Sequence, residues 1–177
     1  MTETALKLKI REQRREAESY FASNHYITIH AESGYDPFTV WVDLNYPIYV
    51  IRNGKPFLLE NGIKNISITF PRNYPEIRPS VRCNSEQICS IHAWGNNSLC
   101  LHTDYFPNEH NLIKEICNLM ALAANCPETI NYGSPTPDMK SYIPWTKEAL
   151  RLGIIPTVSY KRLVSPSPDP IRRTLDI

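Results

Sequence analysis

The chain lacks a long hydrophobic run. No window of about 18 apolar residues occurs in it, so no membrane-spanning helix is expected. It also lacks an excess of either charge: 19 Lys and Arg stand against 18 Asp and Glu, and a formal net charge of +1 offers no basic face for nucleic acid. Met1-Thr2-Glu3-Thr4 has no basic start leading into an apolar stretch, so a secretion signal is not expected either. The five cysteines include no C-x-x-C pair. An odd count without a secretion signal points to reduced thiols in a soluble, cytoplasmic protein, one of them available for chemistry. A Gly-rich nucleotide turn between strand and helix is missing as well, so no adenylating domain and no cofactor are expected.

What the chain does have is enough for one core. Its 177 residues are 42% hydrophobic, in the size range of a single domain, which we place at residues 1–155. From Pro156 the composition thins into Ser165-Pro166-Ser167-Pro168-Asp169-Pro170. Such a segment builds no core, so residues 156–177 are expected to form an extended or disordered tail.

Thr4 can cap a first helix, in which Leu6, Ile10, Ala17, Tyr20 and Phe21 recur at helical spacing as far as Asn24. The run Arg11-Glu12-Gln13-Arg14-Arg15-Glu16 reads as its solvated face or as a docking surface. The period then changes to two. Ile27 and Ile29 mark a short strand, and Phe38, Val40, Val42, Leu44, Tyr46, Ile48 and Val50 share one parity, a long strand or two halves broken at Pro47. After the turn dipeptides Asn53-Gly54 and Asn61-Gly62, Ile66, Ile68 and Phe70 give a third strand, and Val81 begins a fourth. Asn108 or Asn111 caps a mostly buried helix carrying Leu112, Ile116, Cys117, Leu119, Met120 and Ala123. A last helix runs from about Pro144 to Leu152, with Gly153 as its C-terminal cap. The class is therefore α+β: an N-terminal helix, an antiparallel four-stranded meander, a site-bearing loop, then C-terminal helices.

The chemistry gathers in Ile91-His92-Ala93-Trp94-Gly95-Asn96-Asn97-Ser98-Leu99-Cys100-Leu101-His102-Thr103-Asp104. Cys100 lies outside any periodic segment, where function tends to sit, whereas Cys117 and Cys126 read as small core residues. A thiol is intrinsically very nucleophilic even when only a few per cent is thiolate, so acyl exchange onto Cys100 asks mainly for exposure and alignment. His102 and Asp104 follow at alternate positions. Either can lower the thiol pKa or take a proton from an incoming amine, and His92 is a further candidate; each can equally be an ordinary loop polar group. Asn96 and Asn97 offer amides for an oxyanion, although Asn-Asn beside Gly95 is also ordinary turn chemistry.

Phe70-Pro71-Arg72-Asn73-Tyr74-Pro75-Glu76-Ile77-Arg78-Pro79 resembles the FP-x-x-YP-x-x-x-P signature of ubiquitin-conjugating enzymes and of their non-catalytic relatives, the RWD domains among them. Ser98-Leu99-Cys100-Leu101 looks like the family's [IL]-C-L around its thioester cysteine, and Tyr105-Phe106-Pro107 looks like the aromatic-x-Pro entry to the following helix. The resemblance spans residues 5–153 in element order and implies a UBC-like fold with Cys100 as the acyl-carrying residue. Where most members have His-Pro-Asn, this chain has His92-Ala93-Trp94, so the family's asparagine does not carry over.

The compact proline turn, the missing His-Pro-Asn and the Trp145-bearing last helix are most similar to bacterial members from CBASS anti-phage operons. That likeness implies a partner captured through its C-terminus, a cGAS/DncV-like nucleotidyltransferase, with or without a separate activating enzyme. The alternatives are a non-catalytic module of the same fold and a thiol redox sensor. Zinc on Cys83, Cys89, His92, Cys100 and His102 is a weaker option, because no C-x-x-C pair is present and Cys89-x-x-His92 alone is a weak signal.

Overall fold

The computed structural model describes residues 1–30, 36–101, 111–127, 131–155 and 160–167. Helix α1 spans Glu3–Tyr20 and is capped by Thr2, whose hydroxyl accepts the Ala5 amide at 3.3 Å. The cap thus falls two residues before Thr4. Leu6, Ile10 and Ala17 are buried as their spacing requires, while Arg11, Glu12, Arg15 and Glu16 face solvent.

Among the described residues eight strands follow: β1 (Ile27–Ile29), β2 (Thr39–Leu44), β3 (Ile48–Arg52), β4 (Lys55–Leu59), β5 (Ile63–Thr69), β6 (Ser80–Cys83), β7 (Gln87–Ile88) and β8 (Ser98–Leu99). They form two sheets. One has the order β1-β2-β5-β6-β8, the other β4-β3-β7, and every pairing is antiparallel. The expected four-stranded meander is β1-β2-β5-β6, with the β3–β4 hairpin inserted between its second and third strands.

The one-parity run does bury its residues, from Val40 to Val50, yet it is two strands in two sheets. Pro47 has no amide to continue a ladder, so the chain leaves the first sheet there. At Gly62 it returns so close to Leu44 that a Cβ would lie 1.8 Å from the Leu44 carbonyl oxygen, and φ is +76°; glycine is required. Strand β4 has no legible alternation and contains Pro56. The two-residue turn at Asn53 and Gly54, both left-handed, makes Arg52 and Lys55 the closing hydrogen-bonded pair. Pro56 therefore falls opposite Ile51 at a non-hydrogen-bonded position, where its missing N–H leaves the ladder intact and blunts the sheet edge.

The proline turn folds under α1. Phe70 and Tyr74 are buried with their rings edge to face at 4.9 Å, and the Tyr74–Pro75 peptide is cis. The Tyr74 hydroxyl donates to Gln13 Oε1 at 3.0 Å, and the same oxygen accepts the Leu112 amide at 3.2 Å. Gln13 thereby ties α1 to the turn and to the start of α2 (Leu112–Ala123), which Asn111 caps through the Lys114 amide at 3.0 Å. Helix α2 is buried almost all round.

A 3₁₀ turn, Pro137–Tyr142, leads into α3 (Ile143–Arg151). Gly153 closes α3 in the left-handed region, with the Ile154 amide on Ala149 O at 2.9 Å and its own amide on Leu150 O at 3.2 Å. Trp145 is half-buried, its ring edge to Tyr49 at 5.1 Å. The described part of the C-terminal segment is not an extended arm. Residues Tyr160–Leu163 form a helical turn, α4, that buries Leu163 and Val164, and Asn24 Nδ2 donates to Leu163 O and Ser165 O at 3.2 and 2.8 Å. These contacts hold residues 160–167 on the body of the protein, and the rest of the segment lies outside the described residues. No helix among the described residues is long and apolar enough to cross a membrane.

Candidate thiol site

The described part of the site-bearing stretch is a tight hairpin between His92 and Cys100. The Trp94 amide bonds Ser98 O at 2.8 Å, Ala93 and Leu99 form an antiparallel bridge, and the Cys100 amide bonds His92 O at 2.9 Å. Its tip is Gly95-Asn96-Asn97. Asn96 Oδ1 accepts the Ser98 amide at 3.0 Å, and Asn97 takes φ +66°, a conformation asparagine tolerates better than most residues. The Asn97 carbonyl accepts the Cys83 amide at 2.9 Å, docking the hairpin onto β6. Asn97 is thus the turn-former of the hairpin.

A second segment clasps the first arm. The Thr136 amide bonds Ile91 O at 2.9 Å, the Thr136 hydroxyl donates to Ala93 O, and Asp138 Oδ2 accepts the Gly95 amide at 2.9 Å. The Asn131 amide reaches His92 Nε2 at 3.2 Å. His92 is buried, which lowers its pKa, and with Nε2 accepting, the neutral ring carries its proton on Nδ1. No ring lone pair is left over for a base in this arrangement. His92 stands opposite Cys100 in the hairpin register and meets it through its own carbonyl.

Cys100 is partly exposed, and it alone of the five cysteines is not buried. Burial pushes the Cys83 and Cys89 thiols up to about 12, so neither supplies thiolate at neutral pH. Beyond Cys100, the Leu101 carbonyl accepts from Arg78 Nη1 of the proline turn at 3.3 Å. His102 and Asp104, the two candidates for base or pKa control, lie outside the described residues. Among the described residues no three His, Cys, Asp or Glu side chains converge as metal ligands would.

Asn131, Thr136, Asp138 and Arg78 were not singled out from the sequence. Thr136 before Pro137 has the pattern of a helix N-cap, but its hydroxyl makes no cap bond and serves the distant Ala93 carbonyl instead. Local pattern carries no sign of a partner that far along the chain. The arrangement as a whole presents one accessible thiol on a main chain hydrogen-bonded at His92 and at Leu101. No family model matches the chain, and no curated protein matches it.

Proposed function

We propose that the protein is a ubiquitin-conjugating-like acyl carrier, a transferase that holds the C-terminus of a partner protein as a thioester on Cys100. The observation that carries this reading is the solvent access of Cys100 alone among the cysteines, on a hairpin secured at His92 and at Leu101. The Cys100 thiolate attacks the carbonyl carbon of an activated C-terminal acyl group, and the leaving group departs with the bonding pair. An acceptor nucleophile then attacks the same carbon and returns the thiolate. A separate enzyme supplies the activated acyl group, because a free carboxylate carries no leaving group for the thiolate to displace. By the resemblance of the compact proline turn, the missing His-Pro-Asn and the Trp145-bearing last helix, the partner is a cGAS/DncV-like nucleotidyltransferase of bacterial anti-phage defence, and the setting is cytoplasmic. His102 and Asp104 stand as the candidates for proton transfer, and His92 and Asn97 act as framework.

The test is mass spectrometry of the protein co-expressed with such a nucleotidyltransferase. The expected product links Cys100 to the partner's C-terminus, is cleaved by hydroxylamine or excess thiol at neutral pH, and is absent from Cys100→Ala. An adduct released by reductant but resistant to hydroxylamine is a disulfide and would establish the redox sensor instead. Stable association without any adduct would establish the binding module.

A further inference from the structure

Arg78 reaches the thiol site from outside the hairpin and its clasp. Its place is set from two directions. Tyr74, four residues earlier, is buried and anchored on Gln13, while Val81, just beyond Pro79, pairs in β6 with Leu99, the residue before Cys100. Between these fixed points the guanidinium donates to the carbonyl oxygen of Leu101, the residue after Cys100. Its positive charge partly offsets the burial that raises the pKa of Glu115, a carboxyl 2% exposed on α2. The hydrogen bond to the Leu101 carbonyl thus holds the long side chain at the site.

We infer that Arg78 is a positioning residue for Cys100: by donating to the Leu101 carbonyl it fixes the main chain that leaves the thiol, as the His92 carbonyl fixes the main chain that enters it. The inference rests on Cys100 being the reactive thiol and is independent of the partner. With both sides held, the half-buried sulfur has one direction of approach. Without Arg78 the Leu101 carbonyl loses this donor, the main chain beside the thiol is less restrained, and small reagents reach the sulfur more easily.

The experiment is iodoacetamide alkylation of the full chain, read site by site by mass spectrometry beside thermal melting. Arg78→Ala is expected to raise the Cys100 rate about fivefold, the scale of one lost hydrogen bond, while Cys83, Cys89, Cys117 and Cys126 remain unlabelled. Arg78→Lys, which keeps a donor and the charge, returns most of the wild-type rate. An Arg78→Ala rate equal to wild type would overturn the proposal. So would labelling of the buried cysteines together with Cys100, which would make Arg78 a general structural residue. Because no partner enters this assay, its outcome is separate from whether a thioester forms.

Discussion

The amide of Cys100 is bonded to the carbonyl oxygen of His92 at 2.9 Å, and the ring of that same His92 accepts the amide of Asn131 at 3.2 Å. One buried residue thus links the thiol's main chain to a segment beyond α2. The histidine works as a joint in this arrangement, and the thiol's direction depends on contacts that no neighbouring residue supplies.

Thiol selectivity is the first consequence. Native protein treated with iodoacetamide should be alkylated at Cys100 alone, and the other four cysteines should react only once the chain is unfolded, because all four are buried and burial also keeps the Cys83 and Cys89 thiols protonated. Mass spectrometry of partially labelled protein measures this directly. Comparable labelling of Cys83 or Cys89 would contradict the packing described.

The clasp should act on the hairpin in proportion to its burial. Thr136→Val removes the hydroxyl from a buried carbonyl and should cost about 1–3 kcal/mol. Asp138→Ala should cost less, since water can replace its bond to the exposed Gly95 amide. Both should speed hydrogen exchange at the Trp94 and Cys100 amides while leaving α2 protected. Unchanged exchange there would mean that the hairpin holds itself.

Glu115 should give stability a downward slope with pH. Burial raises its pKa from an ordinary 4.5 to about 7, with Arg78 pulling the other way, so the folded state keeps a proton that the unfolded state has lost. Its contribution is complete below pH 4.5 and fades as pH rises to about 7, by up to ~3 kcal/mol. His92, with its lowered pKa, slopes the opposite way: its contribution is present above its ordinary value of 6.5 and is lost as pH falls. Urea denaturation of Glu115→Gln against wild type cancels the His92 part. The variant should be the more stable at pH 8, with the advantage shrinking toward pH 5; a constant difference would refute the assignment.

The C-terminal turn should behave as core. Leu163→Ala should destabilise the protein by about 2–5 kcal/mol, as a fully buried leucine does. Asn24→Ala should also destabilise it, by stripping the Leu163 and Ser165 carbonyls of their donor. Melting temperatures at wild-type level in both variants would return residues 160–167 to the status of an appendage.

What the sequence by itself determined is whatever depends on near neighbours. Helical spacing placed Leu6, Ile10 and Ala17 in the core, and period two placed Val40, Val42 and Leu44 there. Gly153 and Pro144 marked the ends of α3, and Asn-Gly pairs marked the turns. Cys100 stood out for the same local reason, as a thiol outside any periodic run. The tertiary structure alone decided which strands share a sheet, because β2 and β3 have the same parity and part at a single proline. It also decided that the turn at 160–165, far along the chain from α1, is held by Leu163 and Asn24. At the site, Thr136, Asp138 and Arg78 act on carbonyls and amides far along the chain, and main-chain groups are the same in every residue. Nothing in a residue's identity announces that its backbone will be the partner, so the groups that hold Cys100 became visible only when the chain had folded around them.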